Sequence, residues 1–184
     1  DAFEKAVAAS VLTVEEDPLS TERPAAWTPF DREGVLTRKH TILDKGLLKF
    51  TAHNAFTAQR GKAKLTGNAV GSARGVPSIG LHGLKIRPGD ASLESLYKDI
   101  GSGLLIKRFS GNSDPVSGQF SGIAKNSFWI DKGQVAHPIK EVMISGNMFD
   151  LLKSVQRLGK DLHNQGGSYD APYIIVDGLS ITAG

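Results

Sequence analysis

The chain has 184 residues, 40% of them hydrophobic and 22% charged, so it is long enough to bury a core and too apolar to be disordered throughout. Its net charge is +3, with Lys and Arg scattered among acids, and it lacks the clustered basic stripe of a nucleic-acid binder. There is no cysteine, which excludes disulfides and Cys-based zinc, iron–sulfur or thiol chemistry within these residues, and no apolar run approaches the roughly 20 residues of a membrane helix.

The apolar stretch 6–12 follows Asp1 and Glu4 and is too short for a signal peptide. Residues 11–15 read as a strand, and 17–29, rich in Pro, Ser and Thr, as an irregular linker or surface arm. Residues 35–43 and 47–52 form a hairpin around Asp44-Lys45-Gly46, a three-residue loop with Gly in the left-handed position. A short helix is expected at 55–60 and a strand at 77–81. Residues 92–100 read as a helix with Ser92 as N-cap, Leu93, Leu96 and Ile100 on one face, and Gly101 at its end. A strand at 104–109 precedes a second hairpin, 127–130 and 134–137 around Asp131-Lys132-Gly133. After a strand at 141–145, Met148, Leu151, Leu152, Val155 and Leu158 follow helical spacing, which predicts a helix over 148–158 between an Asn147 N-cap and Gly159. Residues 173–182 read as one or two strands. The sum is an α+β domain, mostly antiparallel.

No catalytic motif emerges. A helical H-E-x-x-H needs two His on one face, and no two of His40, His53, His82, His137 and His163 lie three to five residues apart. The strings around Ser78 and Ser121 have the wrong spacing for a nucleophile elbow, and Pro77 opposes one. Gly101-Ser102-Gly103 follows a helix instead of opening one, so it is no dinucleotide fingerprint. The loop from Gly67 to Gly75 is richer: its backbone N–H groups and Arg74 could cradle an anion, against the plainer reading of a tight inter-strand loop. Glu15-Glu16-Asp17 could hold a cation, against the plainer reading of solvated charges at a strand end. An extended ligand bound along a sheet edge fits the many Gly-flanked polar loops.

The order of short strings is more specific than any one of them. Glu15-Glu16-Asp17-Pro18 is followed by Pro29-Phe30-Asp31-Arg32-Glu33-Gly34-Val35, Asp44-Lys45-Gly46-Leu47-Leu48, Thr66-Gly67-Asn68-Ala69 and Arg87-Pro88-Gly89. Then come Gly101-Ser102-Gly103-Leu104-Leu105, Ser117-Gly118-Gln119-Phe120-Ser121, Trp129-Ile130-Asp131-Lys132-Gly133 and His137-Pro138. Ile144-Ser145-Gly146-Asn147, Leu158-Gly159-Lys160-Asp161-Leu162 and a terminal Gly-Leu-Ser-Ile-Thr-Ala-Gly complete the series. Over residues 14–184 the chain resembles the carboxy-terminal domain of TldD/PmbA proteins, also called modulators of DNA gyrase or peptide-maturation proteins.

The resemblance implies a cytoplasmic, dimeric, two-domain α+β protein with a strongly curved sheet. Residues 1–184 would then be one carboxy-terminal domain, with 1–13 the tail end of a preceding segment and an amino-terminal domain missing. TldD-like members are zinc-dependent peptidases acting on small or unfolded peptides. Their H-E-x-x-x-H lies before the Glu-Asp-Pro segment, and a cysteine near the carboxy terminus adds a ligand. PmbA-like members, also called TldE, lack those ligands and partner the TldD-like subunit. Between Asp161 and the last strand this chain has His163-Asn164-Gln165-Gly166-Gly167-Ser168-Tyr169 and no cysteine, and His82 stands where the family commonly has Asn. The resemblance therefore implies the PmbA/TldE type: no catalytic or metal residue in this chain, zinc in a TldD-like partner, and a peptide substrate. The dimer mate is that TldD-like subunit or a second copy of the chain, with neither membrane nor nucleic acid as partner. Thr66, Asn68, Arg87, Ser121 and Asn147, with Arg74, stand as framework or peptide-groove positions. Asn147 would cap a helix, Asn68 would take a left-handed turn conformation, and Arg87 would pin its loop by a salt bridge. Two alternatives stay open: a self-sufficient zinc metallopeptidase with its ligands upstream of Asp1, and a non-enzymatic binding protein linked to DNA gyrase.

Overall fold

A computed structural model of the chain describes residues 2–22, 27–140, 142–165 and 169–182. The described elements run in the order β1 (Val14–Glu16), β2 (His40–Asp44), β3 (Leu47–Leu48), α1 (Ala55–Gly61), β4 (Ala69–Val70), β5 (Ser78–Ile79), β6 (Leu84–Ile86), α2 (Leu93–Ile100) and β7 (Gly103–Leu105). They continue with β8 (Arg108–Ser113), β9 (Gln119–Lys125), β10 (Ser127–Asp131), β11 (Gln134–Ile139), β12 (Val142–Asn147), α3 (Met148–Lys153), β13 (Arg157–Gln165), β14 (Tyr169–Ile175) and β15 (Ser180–Thr182). This is an α+β fold whose strand pairs are mostly antiparallel. It divides into two compact units, the first comprising Asp1–Ala6, Leu12–Arg87 and Leu162–Ala171, the second Val7–Val11, Pro88–Asp161 and Pro172–Gly184.

In the first unit β1 is flanked by antiparallel partners on both sides: Glu16 stands opposite His40 on β2 and Leu84 on β6. The sheet runs β13-β14-β6-β1-β2-β3, and β14 joins it parallel to β6 through Tyr169 and Asp170. A separate short ladder pairs β4 with β5. Helix α1 starts at Asn54, whose side chain accepts the Thr57 N–H while the Thr57 hydroxyl accepts the Asn54 N–H, a reciprocal box that satisfies two orphan donors.

In the second unit the inner strands β9 and β12 of the four-stranded sheet β15-β12-β9-β8 alternate. Phe120, Ala124, Val142 and Ile144 are buried, while Gln119, Ser121, Lys125 and Met143 are exposed, as period-2 geometry requires of a half-covered sheet. A three-stranded sheet, β11-β10-β7, lies in the same unit. Helix α2 is capped by the Ser92 side chain, which accepts the Ser95 N–H, and ends at Gly101 with φ 65°. Its buried Leu96 packs with Ala91 and Ile175, flanked by Leu93, Ile100 and Tyr173.

Both expected hairpins are present, but each closes with two residues, not three. Asp44 pairs with Leu47 and Asp131 with Gln134, leaving Lys45-Gly46 and Lys132-Gly133 as the loops. All four loop residues have positive φ (48° and 79°, 48° and 73°), the type I′ geometry whose twist matches the strands. The helix expected over 148–158 stops at Lys153. Val155 and Leu158 are buried as helical spacing foretold, but from an extended chain: Gln156 N–H donates to Ile175 C=O, and Lys160 N–H donates to Ala91 C=O. Ladder hydrogen bonds with a buried partner outweigh the weak helical preference of this stretch. The strand expected at 104–109 is two strands in different sheets, since Leu105 pairs with Phe128 and Phe109 with Ala124. Residues 173–182 likewise fall in two strands, β14 and β15, and Gly178 between them has φ 81°.

Because lysine is strained at positive φ, Lys132→Asn should raise stability by about 0.5–1 kcal/mol. Gly133→Ala should lower it by about 1–2 kcal/mol, since its Cβ would also sit 3.0 Å from Lys98 Cα. Urea melts of the two variants check both signs, and a destabilised Lys132→Asn would contradict the type I′ assignment.

Candidate functional site

Strand alternation sends the three adjacent acids of β1 and its extension to different environments. Glu15 stays toward the surface: its carboxylate meets Arg87 at 2.8 Å and Lys39 at 3.9 Å, and Lys39 also reaches Asp17 at 3.8 Å. Glu16 points inward and is 1% exposed. The cation-holding cluster considered from the sequence is thus divided, with Glu16 taken out of it.

A buried carboxylate needs donors. Glu16 Oε1 accepts from Asn68 Nδ2 at 2.8 Å and from the His82 backbone N–H at 2.6 Å. Asn68, equally buried, also donates to Gly80 C=O, and its own C=O accepts the Gly80 N–H. Asn68 does not take the left-handed conformation expected of it; Gly67 does, with φ 79°, and a Cβ there would lie 2.6 Å from Leu36 C=O. The glycine allows close backbone approach, and the asparagine is thereby free to serve as an extended residue that bonds inward. A second buried carboxylate, Asp31, accepts the N–H groups of Glu33, Val35 and Ala69. Thr66 accepts the His53 N–H and donates to His53 C=O, and Glu33 accepts the Ala55 N–H at the start of α1. Residues 66–82 are therefore tied to the sheet by side-chain hydrogen bonds at several points.

Several buried polar atoms lack a hydrogen bond: Glu16 Oε2, Asn68 Oδ1, Arg32 Nη1, and Nε2 of His40 and His82. The Gly67–Gly75 segment contains β4 and most of its connection to β5, with Gly71 at φ 131° and a turn closed by the Gly75 N–H on Ser72 C=O. Arg74 is exposed in that turn. Arg32 approaches the loop from outside: its Nη1 would be 3.3 Å from a Cβ at Gly71.

The other two candidate positions lie in the second unit. Ser121 stands opposite Asn112 on β8 and Ser145 on β12, and Asn147 stands opposite Gln119. All share the exposed face of the four-stranded sheet, where Asn112, Asp114, Gln119, Ser121 and Ser145 line an open depression of about 430 Å³. Asn147 also caps α3: its Oδ1 accepts the Phe149 N–H and its Nδ2 donates to Ser117 C=O. At the rim, the Ser117 hydroxyl and the Val116 N–H hold the Asp114 carboxyl below its ordinary pKa. Within the first unit the structure thus brings Asn68 to Glu16 and Arg87 to Glu15, and within the second it brings Ser121 and Asn147 to one sheet face.

A scan of family models matches residues 1–183 to the PmbA/TldA metallopeptidase C-terminal domain. The chain belongs to this family. A protein of Escherichia coli O157:H7 called Metalloprotease PmbA is 29% identical over 90% of this chain and 34% of its own length. Among solved structures, TldE of Thermococcus kodakarensis aligns with TM-score 0.87 and 27% identity over 99% of this chain and 42% of that one. A Thermotoga maritima protein described as a proposed modulator of a DNA gyrase aligns with TM-score 0.86 and 30% identity over 98% of this chain and 41% of that one. The chain spans about a third of the length of the curated relatives it matches.

A metallopeptidase family raises the question of a metal. Among the described residues no group of three or more His, Asp or Glu is placed to hold one. The chemistry around Glu16 also runs the wrong way: Oε1 is held by an amide and a backbone N–H, which are donors and not ligands. His53 is engaged with the Thr57 hydroxyl, and His40 is stacked on Phe50 at 3.9 Å between centroids.

The framework reading of Asn68 has a measurable consequence. Asn68→Ala removes a donor from a buried carboxylate and should cost about 3 kcal/mol. Arg87→Ala removes a pair whose arginine is 57% exposed and should cost under about 1 kcal/mol. Equal losses in urea titration would refute this ranking.

Proposed function

We propose that this chain is the zinc-free, TldE-like component of a TldD/TldE-type metallopeptidase, in which it scaffolds the pair and helps hold an extended peptide. Zinc and the hydrolytic chemistry belong, in this reading, to a TldD-like partner. The carrying observation is chemical: residues 161–182 contain no cysteine, at the place where the resemblance puts a TldD-like ligand. The likeness to the Thermococcus kodakarensis TldE over 99% of this chain supports the same assignment.

The second unit offers a surface suited to the peptide role. Strand β8 is exposed at all six residues and, among the described residues, is hydrogen-bonded within its sheet to β9 alone. Its free backbone edge can accept an extended segment as an added strand. The adjoining face carries Asn112, Gln119, Ser121 and Ser145, short polar side chains that donate and accept without strong side-chain selectivity. Such a surface favours backbone recognition of many sequences over a pocket for one.

The test uses the full-length natural protein, alone and with a TldD-like partner, measuring peptide hydrolysis and zinc content on the same samples. The expected result is no stoichiometric zinc and no cleavage alone, with both appearing in the mixture. About one zinc per chain with chelator-sensitive cleavage in the isolated protein would overturn the reading and make it a self-sufficient peptidase with ligands upstream of Asp1.

A further inference from the structure

At one end of the second unit, lysines from three separate segments line a single open pocket of about 700 Å³. Lys107 follows β7, Lys125 ends β9, and Lys140 follows β11. The turn between β9 and β10 is made by Asn126 at φ 51°, and the buried Ser127 hydroxyl donates to Lys125 C=O, so the position of Lys125 is fixed by backbone geometry. Arg108 stands directly opposite Lys125 in the β8–β9 register. None of these four cations forms an ion pair with a described residue. The net charge of the whole chain is +3, so four uncompensated cations in one place exceed it. Like charges gathered this way raise the local potential and attract an anionic ligand.

The rest of the pocket narrows the ligand. Phe128, Pro138 and Ile139 contribute apolar surface between the ammonium groups. The volume is that of a site for several linked groups, well above that of a single small anion. A nucleic-acid base would need a free aromatic face, but Lys107 Nζ already sits 5.1 Å over the Phe128 ring centroid. We propose that this basic pocket is a docking site for an acidic peptide segment, whose carboxylates meet Lys107, Lys125 and Lys140 while its aliphatic carbons cover Phe128 and Pro138. The proposal does not rest on the zinc-free reading: the site would select peptides by charge whichever subunit cleaves them.

The test is fluorescence anisotropy on the full-length natural protein with a labelled Asp/Glu-rich octapeptide, against a Ser/Gln-rich octapeptide and an oligothymidylate. The acidic peptide should bind best, and its affinity should fall as salt rises. Lys125→Gln with Lys140→Gln should weaken it roughly tenfold, the scale of losing two charge-assisted contacts. Lys62→Gln with Lys64→Gln, which alters charge to the same extent in the first unit, should leave it unchanged. Should the Lys125/Lys140 variant fail to fold, Lys107→Gln alone takes its place, with a loss of roughly threefold expected. Equal binding of the neutral peptide, preference for the oligothymidylate, or equal weakening by the Lys62/Lys64 variant would each overturn the proposal.

Discussion

The first unit is organised around a carboxylate that cannot reach water. Burying an ionised group costs several kcal/mol unless hydrogen-bond donors replace its hydration. Glu16 finds its donors on residues 68 and 82, more than fifty positions away, so the loop that supplies them must return to β1. That requirement explains a chain of local choices: Gly67 passes against Leu36, Asn68 follows extended and inward, and Gly80 closes on both sides of the same asparagine. Asp31 does for the preceding loop what Glu16 does for this one, gathering three backbone N–H groups. Replacing such a group by an apolar one of similar size can be neutral for stability, while removing one partner is costly. The arrangement fixes which loop pairs with which strand more than it adds net stability.

The second unit solves a different problem, that of packing a sheet whose sequence is rich in small residues. Gly111 and Gly122 stand directly opposite each other on β8 and β9. A Cβ on Gly122 would approach Gly111 Cα to 2.5 Å, and the Phe109 ring occupies the space the two side chains vacate. Phe109 then meets Phe120 edge-on at 5.7 Å between centroids, a favourable aromatic geometry. An aromatic laid over strand glycines covers backbone that would otherwise be open. The opposite face is left polar and exposed.

Features governed by adjacent residues were legible in the sequence. The caps Ser92 and Asn147, the termination at Gly101 and both Lys-Gly hairpins depend on a few neighbouring positions. Features governed by distant partners were not. Residues 155–158 carry a helical period, yet the Gln156 N–H bonds to Ile175 on β14, and nothing local announces that strand. The burial of Glu16 was hidden for the same reason: three consecutive acids read as solvated until the strand direction sorts them. Arg32 escaped notice because its interest lies in its approach to Gly71, a contact that no spacing rule encodes. Strand β9, with Gly122 at its centre, lacks the β-branched density that marks a strand and is specified by its neighbours on both sides.

The strings that carried the family resemblance are, in this structure, fold-forming. Glu16, Asp31, Gly67, Asn68 and Asn147 all direct their polar groups or their conformational freedom to the chain's own backbone. The residues that bring the loops back to β1 are held by donors from the chain itself. The β8 edge and the lysine-lined pocket lie on surfaces that these framework residues do not occupy.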